Sequence, residues 1–474
     1  MKHSLSFRIV ASILLLGVWA LSSSGAEPGT LRAGAARVDI TPAADAALPL
    51  GGFANRSHGF TGIHDNIYLR AIVLDDGTTQ AALVGLEGLF FPDAVWAAVS
   101  SRVASELGIR PENLLLSAVH DHSAPTLSMG RPPGQAANTI TPAQPANAAA
   151  GGRGPYTPNP AQIAYTAKVV DDAVEAIRLA KSRLQPARFG IGTGTAYLNI
   201  NRREPRDDGG LALGFNEKGP SDKTVTVLRF EDLTGKPIAF YINYAVHAVV
   251  LGSENYQITG DLAGATSRFV ENHYAGKDHP RSDAGPRMTM RPENAVGGDG
   301  VVAVWTSGSA GDQNPSSMSS GEAFGLVESM GQMLGEVVVR VAAGIKTAPQ
   351  AKLWGMQEVV TCPGRRLEPG SNQQTGYKWT DSNPVNIRLS LLMLDHIAVT
   401  GVSGEVFTMI NQHLKAESPF HNSVMITHTN GSSGYIPSDD AFDQVSYEIT
   451  SSRLKPGCAE NAIVNGFLDM MRHN

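Results

Sequence analysis

Ser117-Ala118-Val119-His120-Asp121-His122-Ser123-Ala124-Pro125 follows an apolar run, Leu114-Leu115-Leu116. The run reads as a buried strand. On an extended chain, side chains two residues apart point to the same face. His120 and His122 are therefore expected to converge on one point just where the strand runs out. Two convergent imidazoles read either as metal ligands or as a hydrogen-bonded pair near a strand end. Any further ligands must come from elsewhere in the chain.

Two other apolar strands end in ligand-type residues. Pro237 to Tyr244 leads into Ala245-Val246-His247, and His396 to Val402 leads into Ser403-Gly404-Glu405. Function tends to sit at strand ends and on the loops beyond them. Two histidines and one carboxylate, with a further position open, form the donor set of a catalytic zinc ion. Taken singly, each residue has an ordinary reading as well. His247 reads as a satisfied core histidine, and Glu405 as a carboxylate at the start of a helix, Val406 to Lys415, where the helix dipole favours it.

The elements around these strands are mixed. Ile67 to Leu74 and Gln80 to Leu86 flank Asp76-Gly77 as a hairpin, and Thr224 to Phe230 pairs with Pro237 to Tyr244 around Thr234-Gly235. Arg188 to Leu198, Val301 to Thr306, Trp354 to Cys362 and Val385 to Leu394 read as further strands. Helical periodicity is expected over Pro92 to Leu107, Ile163 to Leu184, Gly264 to Tyr274 and Glu322 to Ala343. The fold class is α/β, in the mixed α+β sense, with at least one large sheet. Gly190, Gly192 and Gly194 do not make a dinucleotide fingerprint, because the third glycine falls one residue early and no helix follows.

The chain has 474 residues, 42% hydrophobic and 17% charged, so it is long enough for a large core. A net charge of -6 gives no basic field, and nucleic acid is not an expected partner. Lys2, His3 and Arg8 precede an apolar run from Ile9 to Leu21, and Ser24-Gly25-Ala26 follows. Residues 1–26 read as a secretory signal peptide cleaved after Ala26, which places the mature chain outside the cell or in a periplasm. The run is shorter than the ~20 residues a bilayer span needs. No stable transmembrane anchor is then expected after cleavage; an uncleaved anchor is the alternative. In an exported chain Cys362 and Cys458 can pair as one disulfide, although their spacing does not decide whether they meet. Residues 27–474 are expected to form one domain, interrupted at about 130–160 by a low-complexity loop rich in Ala, Pro, Gly, Asn and Gln. That loop reads as a tolerated surface insertion or as a lid near the histidines.

Several blocks, in order and at similar spacing, resemble the neutral/alkaline ceramidase family of zinc amidohydrolases. Arg37-Val38-Asp39-Ile40-Thr41 and Gly62-Ile63-His64 are similar to its opening motifs. The stretch from Ser117 to Pro125 resembles its signature with two histidines. Ala245-Val246-His247 with Gly260-Asp261, then Ser403-Gly404-Glu405, then Ser433-Gly434-Tyr435-Ile436-Pro437 with Tyr447-Glu448 follow the family's later blocks. The resemblance implies Zn2+ held by His120, His247, Glu405 and Tyr435. It implies that His122, Arg202 and Tyr447 line the site, and a layered sandwich of mixed sheets covered by helices. It also implies cleavage of an amide (N-acyl) bond in a small-molecule or lipid-like substrate. Without the family, Tyr435 and Tyr447 read as half-buried tyrosines with a bonded hydroxyl.

Two departures bear on the substrate. The family's Gly-Asp-Val-Ser-Pro-Asn carries a serine used in ceramide chemistry, whereas here Gly311-Asp312-Gln313-Asn314-Pro315-Ser316 places Asn314 at that position. An asparagine can orient a substrate but cannot act as a hydroxyl nucleophile. The sequence also ends soon after Tyr447, so the immunoglobulin-like domain of lipid-cleaving members is expected to be absent. The expected chemistry is hydrolysis by metal-activated water, with His122 or a water-linked carboxylate accepting the proton, Tyr435 or Tyr447 stabilising the oxyanion, and Arg202 and Asn314 positioning the substrate. Another amide, an ester or a glycan-derived substrate fits the same site. One rival is a serine hydrolase, because Ser307-Gly308-Ser309-Ala310-Gly311 nearly matches a nucleophile elbow. The other is a secreted binding protein that keeps the fold without catalysis.

Overall fold

Apolar alternation in the strands assigns each face of the sheets to a different partner. The structure, a computed structural model, describes residues 29–129, 159–207, 209–276, 300–372 and 376–472. The expected signal peptide and its cleavage point, and nearly all of the expected 130–160 loop, lie outside the described residues. The largest sheet has eight strands in the order Val302–Ser307, Pro237–Tyr244, Thr224–Asp232, Gln185–Thr195, Arg32–Asp39, Tyr68–Asp75, Gln80–Leu86 and Leu114–Ala118. Its two edge pairs are parallel and its inner pairs antiparallel. The halves are joined where Arg32 pairs with Pro186 and Ala33 with Gln185.

A second sheet has four strands, Leu353–Leu367, Trp379–Leu394, Ile397–Val402 and Asn422–Ile426. Side chains from both halves of the large sheet, such as Ile72, Leu83, Tyr241 and Val304, meet Leu392, Leu394, Val399 and Ile426 of the second sheet in a shared core. The outward faces are covered by helices. Asp93–Leu107 and Pro160–Ser182 cover one half of the large sheet. Asp261–Tyr274 and Phe324–Gly344 cover the other. Thr408–Glu417 and Ala459–Arg472 cover the second sheet. The expected mixed α/β sandwich, with sheets covered by helices, is what the chain forms. No helix among the described residues is long and apolar enough to cross a membrane.

Most element boundaries fall within a few residues of the sequence reading, with one informative difference. The strand expected over Arg188 to Leu198 stops at Thr195, and a new strand, Asn199–Pro205, joins a three-stranded sheet with Gln313–Pro315 and Leu211–Asn216. That break turns Arg202 and Asn314 toward the histidines. The three glycines before it have a packing role, because a Cβ on Gly190 would lie 2.2 Å from the Lys346 carbonyl and one on Gly194 2.5 Å from Val341. Their bare backbone lets the end of the Phe324–Gly344 helix lie close on the sheet. Cys362 and Cys458 are bonded and tie the second sheet to the last helix.

Candidate metal centre

Three strand ends and their loops interlock at one place. The loop after Leu114–Ala118 bridges that after Pro237–Tyr244 through Asp121 and Ala248. Ser307 Oγ donates to the Val119 carbonyl at 2.9 Å, and Thr427 N donates to the Ser307 carbonyl at 3.0 Å. His120 and His122 do converge, with their Nε2 atoms 3.2 Å apart. The cause is not an extended chain, however. The strand ends at Ala118, and His120 adopts a left-handed backbone with φ 61. This kink, rather than strand alternation, aims the two rings at each other.

His120 Nδ1 donates to the Leu89 carbonyl at 2.9 Å, which fixes its tautomer and leaves the Nε2 lone pair facing inward. Glu405 Oε2 lies 3.4 Å from His120 Nε2 and 3.3 Å from His247 Nε2. The helix after Glu405 begins only at Thr408, and Glu405 itself pairs with Tyr435 in a short parallel ladder. Its carboxylate serves the histidines rather than capping that helix. His122 is held from behind: Phe53 packs edge-on at 4.7 Å, and Gly52 leaves the space its ring occupies.

These residues fit a divalent cation. Donors about 2.0–2.2 Å from a tetrahedral ion lie roughly 3.3–3.5 Å from one another, as these do. Glu405 Oε2 is buried and has no hydrogen-bond donor among the described residues. A buried carboxylate oxygen left so is costly unless a cation or proton meets it. Burial lowers the pKa of His120, and lowers those of His122 and His247 strongly, so all three are neutral, the form in which an imidazole can hold a metal.

Arg202 links this cluster to the remaining expected residues. Its Nε donates to Glu448 Oε1 at 2.6 Å, Nη2 to the Tyr435 hydroxyl at 3.0 Å and to the Gly311 carbonyl at 2.9 Å, and Nη1 to His247 Nε2 at 3.1 Å. The Asn314 Oδ1 lies 3.5 Å from Nη1. Burial disfavours the Arg202 charge, but Tyr435, Glu448 and Glu405 together hold it protonated above its ordinary range. Burial raises the Tyr435 phenol well above its usual value, so it is neutral, and Tyr447 meets it edge-on at 5.8 Å. His120, His122, His247, Glu405, Arg202, Asn314, Tyr435 and Tyr447 are thus gathered in one region.

Two further residues at this cluster, one of them quoted above only as part of a motif, have no role assigned from the sequence. Glu448 is the buried partner of Arg202. His428 stacks on His120 with ring centroids 4.0 Å apart, and His120, Glu405 and His428 also bring donor atoms within 4.8 Å of one another. Its signal was present: Val424 to Ile426 is a further apolar strand that runs into a histidine. The nucleophile elbow is not formed. Ser309 is buried with its Oγ on Met425 Sδ at 3.1 Å, and Ser307 Oγ is spent on Val119. Among the described residues neither hydroxyl has an imidazole partner.

Fold and site define a mixed α/β protein with a buried histidine–carboxylate cluster at its interlocked strand ends. The family described as neutral/alkaline non-lysosomal ceramidase, N-terminal, matches residues 160–330. The neutral ceramidase of Drosophila pseudoobscura pseudoobscura is 23% identical over 360 residues, covering 71% of this chain and 47% of that protein. Neutral ceramidase B of Dictyostelium discoideum is 29% identical over 254 residues, covering 51% of this chain and 32% of that protein. The chain thus spans less than half the length of these curated relatives. A solved neutral ceramidase from Pseudomonas aeruginosa shares the fold with a TM-score of 0.70 at 18% identity, covering 94% of this chain and 74% of that one. The chain is thus similar to the neutral/alkaline ceramidases in sequence over part of its length and in fold over most of it.

Proposed function

We propose that this chain is a zinc-dependent amidohydrolase that cleaves an N-acyl bond. The observation that carries the reading is Glu405 Oε2, buried, without a hydrogen-bond donor, and 3.3 and 3.4 Å from two neutral imidazole nitrogens. His120, His247 and Glu405 would hold the ion, with Tyr435 as the remaining protein donor. Zinc bound there would act as a Lewis acid on the substrate carbonyl and make water acidic enough to react near neutral pH.

The protein's own groups supply the rest. His122 Nε2 accepts the proton of the attacking water and returns it to the departing amine nitrogen. The Tyr447 hydroxyl donates to the oxygen on which charge develops. Arg202, locked by Glu448 and the Gly311 carbonyl, presents a fixed positive edge, and Asn314 beside it aligns the amide. Because Asn314 stands where ceramide-cleaving members carry serine, other amides, esters and glycan-derived substrates belong in the same screen. We take residues 27–474 as one metallohydrolase domain, supported by the core shared between its sheets. We take the chain as exported, supported by the Cys362–Cys458 disulfide, which suits an oxidising compartment.

The test is elemental analysis of the purified protein together with fatty-acid release from a short-chain fluorescent ceramide. Stoichiometric zinc with turnover is the expected result. Zinc without turnover on any amide or ester would favour a binding protein. A His247→Ala variant that keeps full zinc would sink the ligand assignment.

A further inference from the structure

We infer that His428 is a positioning residue of the metal centre, a stacked brace that holds the imidazole plane of His120. The inference rests on the metal-centre reading above. Ring centroids lie 4.0 Å apart, and the planes are inclined by only 9°. An imidazole lone pair lies in the plane of its ring, and so does a metal bound to it. The two rings are nearly parallel and stacked, so their nitrogen lone pairs would not be directed at the same ion. His428 comes close enough to count as a donor, but its orientation makes it a support.

The support is built with care by the chain. His428 has φ 52 and His120 φ 61, so both stacked residues hold a backbone conformation that side chains rarely adopt. Such conformations persist only where the surroundings over-determine them, and they gather at functional sites. Here the surroundings are the strands that deliver two proposed ligands. Ala118 N donates to the His428 carbonyl at 3.2 Å, and His428 N donates to the Gly404 carbonyl at 3.2 Å. His428 is thereby pinned between the residue two before His120 and the residue just before Glu405. Asn430 anchors the same turn through Leu116 N, the Leu114 carbonyl and Ser390 Oγ.

The stack answers a specific mechanical need. The Leu89 carbonyl fixes the His120 tautomer and one in-plane direction but leaves the ring free to tilt about that hydrogen bond. A flat surface against the ring face removes that freedom. It also offers a π-face to an imidazole made electron-poor by a bound cation, so the contact strengthens when metal is present. Partners that orient a ligand in this way typically change metal affinity by about 10–100-fold when removed.

The experiment compares zinc and cobalt(II) affinity, by competition with a chromophoric chelator, in the native protein, His428→Asn and His428→Phe. Asparagine tolerates the left-handed backbone and deletes the ring; phenylalanine keeps a flat face and deletes the nitrogens. We expect His428→Asn to bind zinc at least tenfold more weakly and to alter the cobalt(II) visible spectrum, with thermal unfolding of the metal-free protein unchanged. His428→Phe should bind within about threefold of the native protein. Native affinity in His428→Asn would overturn the inference. Equal losses in both variants would also overturn it, because the nitrogen rather than the face would then matter. If phenylalanine fails to fold, His428→Asn with the cobalt(II) spectrum still decides. Absence of metal binding by the native protein would instead count against the metal centre itself.

Discussion

Gly52 shows how much one missing side chain can matter at this site. Its φ is 82, and a Cβ there would lie 2.1 Å from His122 Nδ1. Gly52→Ala must therefore displace the imidazole while straining the backbone. We expect a loss of roughly 2–4 kcal/mol in stability by denaturant unfolding. Activity should fall more than tenfold with metal content retained, since His122 is not among the proposed ligands. Retained activity would argue against the proton-accepting role of His122. Arg202 is the opposite case, a residue whose weight comes from what it satisfies. Arg202→Met would leave Glu448 buried and without its cation. The expected cost is about 3–5 kcal/mol, and Glu448→Gln with Arg202→Met together should recover part of it.

At the level of elements, the helix Asp261–Tyr274 is fastened to the large sheet by a buried ionic network. Arg70, on the Tyr68–Asp75 strand, pairs with Glu87 and donates to Glu271 of that helix at 2.7 Å; Arg37 also pairs with Glu271. Arg70 and both carboxylates are almost fully buried, whereas Arg102 and Glu106, an i,i+4 pair on another helix, are about a third exposed. Arg70→Met should therefore destabilise the protein by several kcal/mol. Arg102→Met should change stability by less than about 1 kcal/mol. Similar effects from both would mean that the buried network contributes no more than surface pairing. This network also marks where the sequence stopped being readable. Strands ending in His120, His247 and Glu405 were legible because apolar runs and ligand types are local features. The kink at His120, the Arg202–Glu448 pair, separated by 246 positions, and the turn that places His428 against His120 depend on contacts between distant segments. No spacing within one segment reports them.

Across the whole molecule, the buried titratable groups give stability a pH dependence whose sign can be worked out. His120, His122, His247 and His428 all have folded pKa values below the ordinary 6.5, chiefly because burial disfavours their charge. In the unfolded chain they bind protons from about pH 6.5 downward, while in the fold they resist. Their contribution is complete above that value and is lost as pH falls below it toward their folded values. Asp261 and Asp121 act in the opposite sense. Burial is the first cause in both; it raises Asp261 from 3.8 to about 6 and Asp121 well above 3.8. Their contribution is present below 3.8 and lost as pH rises through the folded values. Burial also raises Glu87 and Asp312; the four imidazoles act against these carboxylates between roughly pH 6.5 and 5, and the metal-free protein is expected to lose stability on acidification across that window. Bound metal sharpens the trend, because its imidazole ligands must stay deprotonated and protons compete for them. Denaturant unfolding of metal-free and zinc-loaded protein at pH 7.5, 6.5 and 5.5 measures both parts. Falling stability in the metal-free form, with a larger fall in the zinc-loaded form, is the expected outcome. Equal slopes in the two forms would show that protons and zinc do not compete for these histidines, and would remove them from the metal centre.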